Sequence, residues 1–118
     1  MSFPENRILQ IAHVCYDANR AWCFEHDEVK PTWEKASKED RGCMVEAVRF
    51  HLDNPLAGDA GAHNIWMNQK VAEGWVWGKV EDAVVKTHPG IVQFHLLPPE
   101  QQAKDRLLVS IVRSLSRV

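Results

Sequence analysis

Residues with chemical reach are spread unevenly along this chain. Cys15, Cys23, His26, Cys43 and His51 are the types that ligate metals, but zinc sites draw on tightly spaced pairs carried by turns. Cys23-x-x-His26 is the one tight pair, while Cys15 and Cys43 fall on apolar helical faces, where free Cys behaves as a small hydrophobe. This spacing predicts no metal. A nucleophile fares no better: there is no G-x-S-x-G elbow and no local Cys-His pairing. Ser110, Ser114 and Ser116 lie in a helical pattern, where a hydroxyl faces solvent or bonds back one turn. The pairs Glu39-Asp40 and Glu81-Asp82 are sequence neighbours that point apart on a helix, and no phosphate loop or G-x-G-x-x-G is present. With no nucleophile, base and oxyanion donor to assemble, the expectation is a non-enzymatic protein without cofactor.

The stretch from His63 to Pro98 differs. It holds His63, Trp66, Lys70, Gly74-Trp75-Val76-Trp77-Gly78, Lys86-Thr87-His88-Pro89, Phe94 and Leu97-Pro98. Aromatic planes can sandwich a base or ring, and Lys or His beside them can neutralise phosphate or carboxylate. His63 and Trp66 share a helical face, with Lys70 a turn further on. His63, Trp66, Lys70, Trp75, Trp77, Lys86 and His88 are therefore the candidate ligand-binding set. The same residues also fit a plainer arrangement, with the three Trp as core and Lys86 and His88 flanking a turn.

The elements that must position these residues are mostly helical. After Pro4, the stripe Ile8, Ile11, Ala12, Cys15 and Trp22 predicts an amphipathic helix, and Pro31 predicts a loop over Glu25 to Thr32. Ser37-Lys38-Glu39-Asp40 resembles a capping box opening a second helix with Met44, Val45, Val48 and Leu52 inward, ending near Asn54-Pro55. A third helix is predicted over Ala62 to Glu73, with Ile65, Trp66 and Val71 inward and Gly74 as its stop. Trp75 to Val80 and Ile91 to Phe94 predict a short β-hairpin around Pro89-Gly90. Pro98-Pro99-Glu100 launches a last helix with Ala103, Leu107, Leu108, Ile111, Val112 and Leu115 inward. The expected fold is mainly α (α+β), a compact bundle of about four helices with a small β-hairpin.

Composition sets the outer limits. At 118 residues, 45% hydrophobic and 25% charged, the chain fits one small domain that buries roughly two thirds of its unfolded surface. A net charge of −2 with interleaved signs argues against a dedicated nucleic-acid binder, and no apolar run approaches a membrane span. Met1 to Arg7 lacks a signal-peptide layout, and three Cys cannot pair completely, so a cytoplasmic protein with reduced thiols is expected. Five Trp against four Phe and one Tyr are the unusual entry.

The stretch resembles the RyR domain, named after the ryanodine receptor calcium-release channels and found also in short bacterial and phage proteins. The resemblance rests on His63 and Trp66, Lys70, Gly74-Trp75-x-Trp77-Gly78, Lys86-Thr87-His88-Pro89, Phe94, Leu97-Pro98 and Lys104-Asp105. Ile11 to Ala21 and Pro31-Thr32-Trp33 are also similar to short phage and actinobacterial members. Asn64 stands where the family usually has Glu, and Trp77 where it usually has Tyr. The second change replaces a phenol O–H by an indole N–H that only donates. The resemblance implies a single domain over 1–118, its motif core at about 62–117 and the N-terminal helices, 5–54, packed on it. It implies a non-catalytic cytoplasmic module (host cytoplasm if phage-encoded). Channel repeats are arranged as pseudo-twofold pairs, and prokaryotic members are often fused to channel or signalling modules. No pore is implied, and no EF-hand-like run of oxygen ligands suggests calcium. The leading expectation is a binding module accepting a small anionic or nucleotide-like ligand through the Trp/Lys/His set. The alternative is a structural or protein–protein interaction domain that docks a partner or forms a homodimer.

Overall fold

A computed structural model describes residues 3–117; Met1, Ser2 and Val118, and with them the ends of the expected 1–118 domain, lie outside the described residues. Four α-helices carry the fold: α1 (Glu5–Glu25), α2 (Lys38–Asp53), α3 (Gly61–Ala72) and α4 (Pro99–Leu115). Between α3 and α4 lie two short strands, β1 (Val76–Trp77) and β2 (Thr87–His88).

Local chemistry sets the helix limits. Pro4 accepts from the amides of Arg7 and Ile8 at the start of α1. At its other end Asp27 turns left-handed (φ 65°), and the Glu28 amide returns to the Cys23 carbonyl at 2.8 Å. The Ser37 hydroxyl accepts the Asp40 amide at 3.0 Å and opens α2, as the capping pattern predicts. One apolar core draws on every helix: Ile8, Ile11, Ala12 and Cys15 from α1, Ala47 and Val48 from α2, Ala62 from α3, and Leu108, Val109 and Val112 from α4. Long side chains tie the helices at their ends. Arg7 reaches the Leu115 carbonyl at 2.6 Å, and Arg113 the Ala57 carbonyl at 3.1 Å. No helix among the described residues is long and apolar enough to cross a membrane.

Three sequence readings are corrected. Val71, expected inward, is exposed, because α3 meets the core through Ala62 and Ile65 near its start and its last turn lies beyond the bundle edge. On α4 the buried centre is Leu108, Val109 and Val112, while Ala103 and Leu107, both expected inward, are exposed. The β element is a parallel pair, Val76 facing Thr87 and Trp77 facing His88, not a hairpin around Pro89-Gly90. The reversal comes earlier. The Asp82 carboxylate accepts the Val84 and Val85 amides, Lys86 takes a left-handed φ of 59°, and Asp82 exchanges both main-chain hydrogen bonds with Thr87. Once the chain has turned there, β2 runs alongside β1, and Ile91–Phe94 passes into a 3-10 turn over Phe94–Leu96.

Candidate functional site

The end of α3 organises the aromatic segment. Gly74 adopts φ +93°, its amide bonding the Val71 carbonyl at 3.0 Å and the Trp75 amide the Lys70 carbonyl at 2.9 Å. This pair of bonds closes the helix and folds Trp75 back over its last turn. As a result the Lys70 ammonium sits 4.9 Å from the centre of the Trp75 ring. Lys86 donates to the Glu73 carbonyl at 2.7 Å, adding a cation where the helix dipole is negative.

His88 is the hub. Trp66 and Trp75 approach its ring edge-on, with centroids 4.8 and 6.5 Å away. Its Nδ1 accepts the Gly90 amide at 2.8 Å, which assigns the proton to Nε2, and Nε2 donates to Glu81 Oε1 at 2.9 Å. Burial pushes the His88 pKa below the ordinary histidine value; Glu81 opposes that shift and Lys70 reinforces it. A Cβ on Gly90 would lie 3.0 Å from the His88 ring and 3.2 Å from Trp66. A Cβ on Gly78 would lie 2.4 Å from the Thr87 Cβ. Both glycines therefore admit neighbouring side chains of this chain.

His63 is buried; its Nε2 donates to the Val92 carbonyl at 2.7 Å, and its ring lies 5.7 Å from Trp66 and 6.2 Å from Phe94. Five of the sequence-derived residues, His63, Trp66, Lys70, Trp75 and His88, thus form one continuous contact series. Lys86 lies at its margin with its charge committed to Glu73. Trp77 stands outside the series and is 56% exposed.

Sequence reasoning missed two acidic members. Glu81, dismissed as half of a neighbouring pair, holds His88 from within the turn, and no local pattern marks that contact. Asp105, on α4, makes no hydrogen bond or ion pair among the described residues. Burial pushes its carboxyl up to about 6, with Lys104 and His63 pulling the other way and Asp59 adding to the rise. No group of three or more potential metal ligands occurs among the described residues.

Two grooves open elsewhere. One, of about 250 Å³, lies where Asp17, Arg20 and Phe24 of α1 face Val29 and Lys30. The other, of about 310 Å³, runs along α4 beside Asp59. Compared with known families, residues 54–116 match the model of the RyR domain.

Proposed function

The chain belongs to the RyR domain family, and from that premise we propose that it is a non-enzymatic recognition module whose binding face is the Trp75–Trp77 arm. The ligand class is a small anionic molecule carrying a planar ring, as in a nucleotide. The observation that carries this reading is Trp77, more than half exposed two positions from a Trp75 ring already covered by the Lys70 ammonium. Alternation along an extended segment brings Trp75 and Trp77 to one side. A ring stacked on Trp77 would place its anionic group near Lys70, whose ammonium lies over the Trp75 ring and forms no ion pair among the described residues. Trp66, His63 and His88 serve as the packed support behind that face, and Lys86 as the cap of α3.

The test is a fluorescence titration of the full chain with AMP and ADP. Saturable quenching is expected, abolished by Trp77→Ala and weakened about tenfold by Lys70→Gln, the loss of one charge-assisted contact. Quenching by neither nucleotide, or quenching indifferent to both substitutions, overturns it.

A second reading is favoured by one further observation. Val71, Val76, Val80, Val84 and Val85 are all exposed on or beside the same arm, an apolar grouping of the kind that docks a protein surface. On that reading the arm meets a partner or a second copy. Light scattering over a concentration series separates the two: a monomer throughout, combined with nucleotide quenching, leaves the small-ligand reading standing.

A further inference from the structure

The groove along α4 lies apart from the aromatic arm. Arg106, Ser110, Arg113, Ser114 and Arg117 recur at positions that bring them to one face of the helix, and Asp59 stands across from them. Val109, nearly fully buried, forms the floor. Arg113 is held in place through the carbonyls of Pro55 and Ala57, at 3.5 and 3.1 Å. The guanidinium groups of Arg106 and Arg117, the hydroxyls of Ser110 and Ser114, and the carboxylate of Asp59 make no side-chain hydrogen bond or ion pair among the described residues. In a chain whose net charge is −2, three arginines facing one carboxylate form a local positive field that Asp59 offsets only in part.

Guanidinium forks pair bidentately with phosphate oxygens, and Ser hydroxyls add neutral donors to the same oxygens. An unpaired carboxylate opposite them repels a second anion but accepts hydrogen bonds from hydroxyl groups. The volume, about 310 Å³, lies at the lower end of the range for small-molecule sites. His51, on α2 and 5% exposed, has an Nε2 with no hydrogen-bond partner among the described residues, and the charges of Arg113 and Asp59 both act on its ring.

We propose that this groove binds a phosphorylated sugar, its phosphate held by Arg106, Arg113 and Arg117 with Ser110 and Ser114, and a sugar hydroxyl accepted by Asp59. The groove adjoins the start of α3 and the aromatic arm its end, about 18 Å apart at the rise of an α-helix. A ligand here therefore leaves the Trp75–Trp77 face free.

The experiment is a titration of the full chain at low ionic strength with inorganic phosphate, ribose and ribose 5-phosphate, followed through the Ser110 and Ser114 amide resonances. None of these probes carries an aromatic ring, so the outcome is separable from that of nucleotide binding at the arm. Ribose 5-phosphate is expected to bind more tightly than phosphate, and ribose not at all. Arg106→Gln combined with Arg117→Gln should weaken both phosphate probes at least about tenfold. Both side chains are exposed and unpartnered, so an unchanged melting curve is expected. Asp59→Ala, which removes the hydroxyl acceptor, should abolish the preference for ribose 5-phosphate over phosphate. Unmoved Ser110 and Ser114 amides, or affinities indifferent to the arginine substitutions, overturn the site. Equal affinity for the two phosphate probes in the unsubstituted chain overturns the sugar assignment.

Discussion

Lys86 and Glu73, thirteen residues apart, are joined by a 2.7 Å hydrogen bond from the lysine ammonium to the last-turn carbonyl of α3. The contact converts a residue that reads as a ligand cation into the cap of a helix. Lys86→Met should cost about 1 kcal/mol of stability, the scale of an exposed charged hydrogen bond, while leaving AMP affinity unchanged. Chemical denaturation and the fluorescence titration check the two halves, and a large loss of affinity would return Lys86 to the binding face.

His88 gives the arm an acid limit. Its pKa is lowered in the folded state by burial, so between that value and the unfolded value near 6.5 the unfolded chain binds more protons. The stability that neutral His88 supplies is complete above about pH 6.5 and declines as pH falls below it. His51, lowered by burial and Arg113, acts with the same sign. Protonating His88 also removes the acceptor of the Gly90 amide. The Gly90 amide resonance should therefore titrate together with the His88 ring, and a Gly90 signal that stays flat while the His88 ring titrates would contradict this.

Asp105 acts with the opposite sign. A carboxyl raised from 3.8 to about 6 in the fold costs nothing at low pH, where it is neutral in both states, and becomes a penalty as pH climbs through that window. Asp105→Asn should stabilise the chain by about 1–2 kcal/mol at pH 8, after allowing for solvent screening. The gain should vanish below pH 4. Denaturation at the two pH values measures it.

Gly78 is held by its neighbour more than by its own backbone. An added Cβ would press on Thr87 at 2.4 Å, across the parallel pairing of β1 with β2. Gly78→Ala should loosen the arm, speeding amide exchange at Val76 and Gly78, with a stability loss of about 1–3 kcal/mol as for overpacking. Thr87→Ser in the same background removes the Cγ2 that an added Cβ would meet at 2.8 Å and should recover part of the loss.

The helices were legible because their signals are local. Ser37 caps, Pro31 interrupts, and Gly74 turns left-handed at the residue where the apolar pattern stops. The β pairing was not legible, since its reversal rests on Asp82 bonding two amides and on Lys86 adopting a conformation usually left to glycine. Pro89-Gly90 carries the stronger turn signal yet serves to seat His88. Within the candidate site, the spacing of His63 and Trp66 foretold their shared face, and Gly74 foretold the turn that brings Trp75 over Lys70. What spacing cannot convey is which cations are spent inside the fold. The α4 arginines recur at helical spacing, but the groove exists only because the loop carrying Asp59 lies beside them.

The most direct measurement of the central claim uses the indole N–H resonances of the five Trp during an AMP titration. Recognition by the arm predicts that the Trp77 signal moves most and Trp75 next, while Trp22 and Trp33, packed against His26 and His13, stay in place. Saturating AMP that leaves Trp75 and Trp77 unmoved, or that shifts only Trp22 or Trp33, would contradict it.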